Sequence, residues 1–172
     1  MRIALDVETT GLDPNRDRIV SVALIGIDVP LDEYMLVKGD GGAVEIHGIT
    51  PEMLEAEGLH PAYVAGFIAE ILGDVEEVWA HNARFDKAFV QAFLEEHGYQ
   101  CTAKWRCTGL ELRGRMGVTG NFPDGNPRIA GLRRCAEALL GPSIEDASDW
   151  HNASYDARVV RELVTCVIDA GD

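Results

Sequence analysis

Ten residues near the N-terminus constrain this chain more than any others. Ile3-Ala4-Leu5-Asp6-Val7-Glu8-Thr9-Thr10-Gly11-Leu12 reads as an apolar strand that ends in two acids and a turn. Side chains along a strand alternate between faces, so Asp6 and Glu8 point one way while Leu5 and Val7 point the other. Two carboxylates so placed repel each other unless one takes a proton or a cation sits between them. The pair reads as half of a metal site, against the plainer alternative of an edge strand with two solvated acids.

After the turn at Gly11-Leu12-Asp13-Pro14, residues Asp17 to Ile27 are rich in branched apolar side chains and predict a central strand. Leu31 to Val37 predicts a third strand, closing an antiparallel meander before the loop Lys38-Gly39-Asp40-Gly41-Gly42. That glycine cluster lacks the strand-to-helix spacing of a phosphate-binding loop and reads as a turn. Thr50 as N-cap and Pro51 at the first helical position start a short helix just after His47. A second helix, Ala62 to Leu72, carries Val64, Phe67, Ile68 and Ile71 at helical spacing. Val78-Trp79-Ala80 reads as a short buried strand, and Phe85, Phe89, Phe93 and Leu94 mark one face of a helix that stops at His97-Gly98. Trp105 to Cys107 predicts a last strand, followed by a basic helix through Arg113-Gly114-Arg115. Gly117 to Arg128 is a long loop, of the kind that is often functional or mobile. Leu132 to Leu140 predicts a helix closed by Gly141-Pro142, and a final helix from Ala153 to Val167 turns Val159, Val160, Leu163 and Val167 inward. A meander followed by alternating strands and helices predicts an α/β fold with a mixed sheet.

A length of 172 residues suits one domain, 1–172, and 47% hydrophobic content is enough for its core. Acids stand where a signal peptide would carry its apolar stretch, and no run is long enough to span a bilayer, so a soluble, cytoplasmic protein without a membrane partner is expected. Cys101, Cys107, Cys135 and Cys166 form no Cys-x-x-Cys pair and have no histidine at zinc-finger spacing; reduced core thiols are expected. A net charge of −14 argues against a broad nucleic-acid-binding face. The charge is unevenly spread, however, because residues 104–134 hold 7 basic and 2 acidic side chains. A substrate gripped at its end, weakly and in a salt-sensitive way, fits such a chain.

Two more acids stand at the ends of apolar elements. Asp86 falls in the first turn of a helix, where the helix dipole alone would also favour it. Asp156 lies beside the inward-facing Val159 and Val160, where an unpaired carboxylate is expensive. Four oxygen ligands without cysteine or a compact histidine set suit hard cations, Mg²⁺ or Mn²⁺, rather than zinc.

Leu5-Asp6-Val7-Glu8-Thr9-Thr10-Gly11-Leu12, His81-Asn82-Ala83-Arg84-Phe85-Asp86 and His151-Asn152-Ala153-Ser154-Tyr155-Asp156-Ala157-Arg158 resemble the three motifs of the DEDDh 3′–5′ exonucleases, in order and across almost the whole chain. Ile46-His47-Gly48-Ile49-Thr50 further resembles a motif of the proofreading group, the epsilon-subunit type of bacterial replicative polymerases. The resemblance implies a ribonuclease H-like mixed sheet flanked by helices. It also implies that Asp6, Glu8, Asp86 and Asp156 bind two divalent cations and that His151 is the general base. The sister subclass carries a tyrosine four residues before the last aspartate; here that position is Asn152, with His151 five before it. The implied reaction is hydrolysis of the terminal phosphodiester at a DNA 3′ end, single-stranded or frayed, releasing a 5′-mononucleotide.

By the same resemblance Thr9, Thr10, Leu12, His47, Asn82 and Phe85 hold the 3′-terminal nucleotide, with Leu12 and His47 wedging or stacking against its base. Three of them also have a plainer reading: Phe85 as core, Thr9 as a turn cap, His47 as a support for the Thr50 helix. His81 is expected to be structural. Where the family often carries an Asp-Thr pair after Trp105, this chain has Cys107-Thr108. An RNA-trimming exonuclease and a non-catalytic, polymerase-associated module of the same fold are the rival readings. The acidic first half fits a protein that acts on ends presented by a polymerase, or one that acts distributively.

Overall fold

A computed structural model describes residues 1–141 and 150–171. Strands β1 (Arg2–Thr9), β2 (Ile19–Gly26), β3 (Asp32–Leu36), β4 (Glu77–Ala80) and β5 (Lys104–Cys107) form one sheet in the order β3-β2-β1-β4-β5. The middle strand is therefore β1, with its two acids. The apolar run after the first turn, expected at the centre, lies beside it, and every residue of β2 is buried. Leu5 faces Leu24 and Val22 faces Met35 in antiparallel pairs, which is the expected meander. Ile3 pairs with Val78, and Val78 with Trp105, in parallel. Parallel neighbours need a crossover. Helices α1 (Val44–His47), α2 (Pro51–Glu57) and α3 (Pro61–Asp74) lead from β3 to β4, and α4 (Ala83–Glu96) leads from β4 to β5. Then come α5 (Thr108–Glu111), α6 (Leu132–Leu139) and α7 (Ala153–Leu163).

The two faces of β1 feed two cores. Ile3, Leu5 and Val7 pack with Val64 and Ile68 of α3 and Phe89, Val90 and Phe93 of α4. Ala4, on the other face, packs with Ala23, Trp79 and the α7 residues Ala153, Ala157 and Val160. The result is a mixed sheet covered on both sides by helices, the ribonuclease H-like architecture. Thr50 caps α2, its Oγ1 accepting the Met53 N–H at 3.3 Å with Pro51 in the first turn. Among the described residues no helix is long and apolar enough to cross a membrane.

Three local expectations are corrected. No helix runs through Arg113-Gly114-Arg115; α5 ends at Glu111 and the chain turns, with Gly117 at φ +64° and the Val118 N–H donating to the Arg113 carbonyl. Glycine costs a helix about 1 kcal/mol each and adopts positive φ freely, so two of them tip this segment toward turns. The last helix is α-helical only to Leu163 and then widens into a π turn over Val164–Ile168. Of the four free thiols only Cys135 is buried, while Cys166 is exposed beside the inward-facing Val167. Gly141 follows α6 with φ +83°, as expected of a helix stop; Pro142 lies outside the described residues.

Candidate active site

Small side chains set the position of the first acids. Alanines on β1 and β2 meet alanines on α7, so the helix can lie close over the face of the sheet that carries Asp6 and Glu8. Asp156, in the first turn of α7, comes down on that pair. Oxygens of Asp6, Glu8 and Asp156 all lie within 4.8 Å of one another. Asp86 lies outside that set but lines the same cavity, of about 490 Å³, from the first turn of α4.

Burial and mutual repulsion make this cluster hold protons. Glu8 is pushed up to about 8 by burial and then by the charges of Asp156 and Asp86. Asp86 is pushed up to about 7 by burial, against backbone hydrogen bonds that favour its charged form. Asp156 also rises to about 7 through burial, offset in part by a hydrogen bond from the His151 backbone. Asp6 is driven well above the usual carboxylate range by burial and by Asp86, Asp156 and Glu8 together. Asp156 Oδ1 is buried with no hydrogen-bond partner among the described residues. Such groups are costly unless something compensates them, and a cation does so directly.

His151 is exposed at the rim of the cavity, in a left-handed conformation with φ +66°. Asn152 caps α7 next to it, its Oδ1 accepting the N–H groups of Ser154 at 3.0 Å and Tyr155 at 3.3 Å. Ala43 and Asn82 also have positive φ. These are the non-glycine residues with positive φ among the described residues, and all line this cavity. Each costs of order 1–2 kcal/mol, so backbone strain concentrates where the carboxylates meet.

Thr9, Leu12, His47, Asn82 and Phe85 line the cavity too. Leu12 is 84% exposed, an apolar side chain at the mouth. Thr9 Oγ1 donates to the Gly11 carbonyl at 2.6 Å, so it also closes the turn. His47 Nδ1 accepts the Ile49 N–H at 3.0 Å, which makes Nε2 the protonated nitrogen, and burial lowers the ring's pKa. Phe85 is partly buried and packs on Phe89 with ring centroids 4.8 Å apart, serving core and cavity together.

Thr10 departs from expectation and is not among the lining residues. Its hydroxyl accepts the Arg18 N–H at 2.9 Å and faces Asp17 at 3.4 Å. Strict alternation would put Thr10 on the side of Glu8, but β1 ends its pairing at Thr9, where Glu8 faces Ser21, Thr9 faces Ile19 and Val20 of β2 is the extra, bulged residue.

Residues 3–164 match the RNase T exonuclease family. The chain belongs to the DEDDh 3′–5′ exonucleases. This exonuclease is 36% identical over 103 residues, 55% of its length, to the PolC-type DNA polymerase III of Thermotoga maritima, and equally to that of Thermotoga petrophila. It spans only 7% of those relatives. Solved structures of exonuclease I share its fold. One superposes with a TM-score of 0.77 at 23% identity, covering 98% of this chain and 40% of that one. Another, Escherichia coli exonuclease I in complex with a dT13 oligonucleotide, has a TM-score of 0.74 at 22% identity over 99% of this chain and 42% of that one.

The exonuclease cavity also contains Ala43, outside every motif, and Ile46, which opens the Ile46–Thr50 motif but is not among the expected nucleotide contacts. Their signal is Gly42, which by sequence reads as an ordinary turn residue. A Cβ there would lie 2.9–3.2 Å from Thr10, so only glycine lets the loop press against the end of β1 and carry α1 over the acids. His81, as expected, is structural: buried, it bonds the Ala130 carbonyl through Nε2 at 2.8 Å and the Thr108 hydroxyl through Nδ1 at 2.9 Å. Burial keeps its pKa low, so the neutral ring donates from Nε2 and accepts from Thr108.

Proposed function

We propose that residues 1–172 act as one exonuclease domain that removes 5′-mononucleotides from single-stranded or frayed DNA 3′ ends, in the manner of a polymerase proofreader. The observation that carries this reading is the convergence of Asp6, Glu8 and Asp156 within 4.8 Å, in a cavity shared with Asp86 and His151. The donors are carboxylate oxygens, the ligand type of Mg²⁺ and Mn²⁺, and the orphaned Asp156 Oδ1 suits a cation ligand. Asp6, Glu8, Asp86 and Asp156 would hold two such ions. Bound there, the ions would supply Lewis-acid activation of the attacking water and neutralise charge on the phosphodiester.

The protein's own groups do the rest. Leu12, Ile46 and His47 present an apolar and aromatic rim on which a terminal base of any identity can rest. His151, exposed beside Asp156, takes the proton of the attacking water. The water oxygen bonds to phosphorus, the bond from phosphorus to the preceding O3′ breaks, and the terminal nucleotide leaves with a 5′-phosphate. The departing O3′ takes a proton and becomes the new end. The relatives named as PolC-type polymerases support a proofreading setting, and exonuclease I bound to oligonucleotides supports single-stranded DNA as substrate. A chain of net charge −14 fits a grip on one strand end rather than along a duplex.

The test is to incubate 3′-labelled single-stranded DNA and matching RNA with the protein and Mg²⁺ or Mn²⁺, with and without chelator. Chelator-sensitive release of 5′-mononucleotides from DNA is expected. Faster decay of RNA would make the enzyme a ribonuclease, and no release from either would leave a non-catalytic module.

A further inference from the structure

A second cavity of about 490 Å³ opens beside the first, and His81 and Asn82 line both. Leu12, Ile46 and His47 belong to the first cavity alone, while Arg84, Leu110 and Phe122 belong to the second alone. Phe122 is 49% exposed and Leu110 45% exposed, large apolar side chains facing open space. Phe122 is held there. It sits in a tight hairpin closed by a bridge between Asn121 and Pro127, with its own N–H donating to the Asn126 carbonyl at 2.7 Å. The Arg128 guanidinium lies 5.4 Å from its ring centroid. Asp124 at the hairpin tip is bonded by Asn126 and lies in the field of Arg84. Most of its lining residues come from 104–134, a stretch with 7 basic and 2 acidic residues, while the arginine that lines it is Arg84.

We infer that this second cavity holds the strand on the 5′ side of the scissile bond, with a base stacked on Phe122 and phosphate near Arg84. The inference rests on the exonuclease reading above. A strand whose terminal base lies on Leu12 and Ile46, with its scissile phosphate at the carboxylates, leaves the first cavity past His81 and Asn82, the residues common to both. An exposed aromatic ring backed by arginine, next to a further cation, is the combination that binds single strands without choosing sequence. It also answers the charge problem: the acids take the end through cations, and Arg84 in the cavity, with Arg128 behind Phe122, takes the strand behind it.

The experiment compares 5′-labelled oligothymidylates of two and six nucleotides on wild type, Phe122→Ala and Arg84→Ala. Release kinetics are read with Mg²⁺, and binding by fluorescence anisotropy with Ca²⁺ replacing Mg²⁺. Wild type should gain in kcat/KM and affinity on going from two to six nucleotides, and Phe122→Ala should lose about fivefold or more of that gain. An unchanged gain in both variants, or an equal loss at both lengths, overturns the inference. If no oligonucleotide is cleaved by wild type, the exonuclease reading fails, and anisotropy alone then judges the cavity. A hexamer preference lost in Phe122→Ala upholds it, and one that persists refutes it.

Discussion

Without divalent ions the protein should become less stable as pH rises from about 6.5 to about 8.5, against the usual trend for carboxylates. In the folded chain Glu8 titrates at about 8, and Asp86 and Asp156 at about 7. In the unfolded chain all three lose their protons at about pH 4. A folded pKa raised above the unfolded one contributes stability that is complete below the unfolded value and lost as pH climbs through the folded value. His47 and His81 pull the other way, because burial lowers their pKa values, but their effect ends once unfolded histidine is neutral, at about 6.5. Cys135, whose pKa is raised by burial, enters only above about 8.5. Within the window the slope is about 1.4 kcal/mol per pH unit for each retained proton. Glu8 then loses about 2 kcal/mol and the two aspartates together about 1.6 kcal/mol. For a chain of this size about 3.5 kcal/mol lowers Tm by roughly 7–14 °C, and Asp6, raised by the same burial and neighbours, adds to the fall. Thermal melts followed by circular dichroism, in EDTA and in millimolar Mg²⁺ or Mn²⁺, measure it. The EDTA series should fall with pH, the metal series should stay level or rise, and Glu8→Gln should flatten the EDTA series. A flat or rising EDTA series, or melts indifferent to metal, would refute the reasoning.

Asp156→Ala should abolish nucleotide release yet raise the EDTA melting temperature at pH 8, since a buried charge with one orphaned oxygen, set among like charges, is gone. His151→Ala should slow release by about 10²- to 10⁴-fold while Mn²⁺ binding measured by calorimetry persists; a near-normal rate would remove the base assignment. His81→Leu should cost about 2–5 kcal/mol in urea unfolding, because the Ala130 carbonyl and Thr108 hydroxyl lose their partners. Gly58→Ala should cost about 1–3 kcal/mol in the same assay, because a Cβ there would meet the Lys38 backbone at 2.9 Å.

Elements with a dense local signal were legible in the chain. The alternation in β1, the unbroken apolar run of β2 and the Phe85, Phe89, Phe93 spacing of α4 all bury the residues they name, or nearly so. Each depends on neighbours within one turn or one pleat. Arg113 to Arg115 was not legible, because a basic run is compatible with a helix and two flexible glycines leave the choice to the surroundings. Asp156 was legible as an acid with nothing local to excuse it, whereas the helix dipole would also favour Asp86.

Sequence by itself therefore determined the strands, most helices and which side chains are candidates for the chemistry, since period and residue type are properties of short stretches. Tertiary structure alone decided how those side chains meet. Asp6 and Asp156 come together only because alanines let α7 settle on the sheet, and Thr9 rather than Thr10 lines the cavity, at the point where a bulge in β2 ends the regular pairing. The pressing of Gly42 on Thr10 and the second cavity at Phe122 likewise arise from contacts between distant segments, and packing, unlike periodicity, is not written into any one of them.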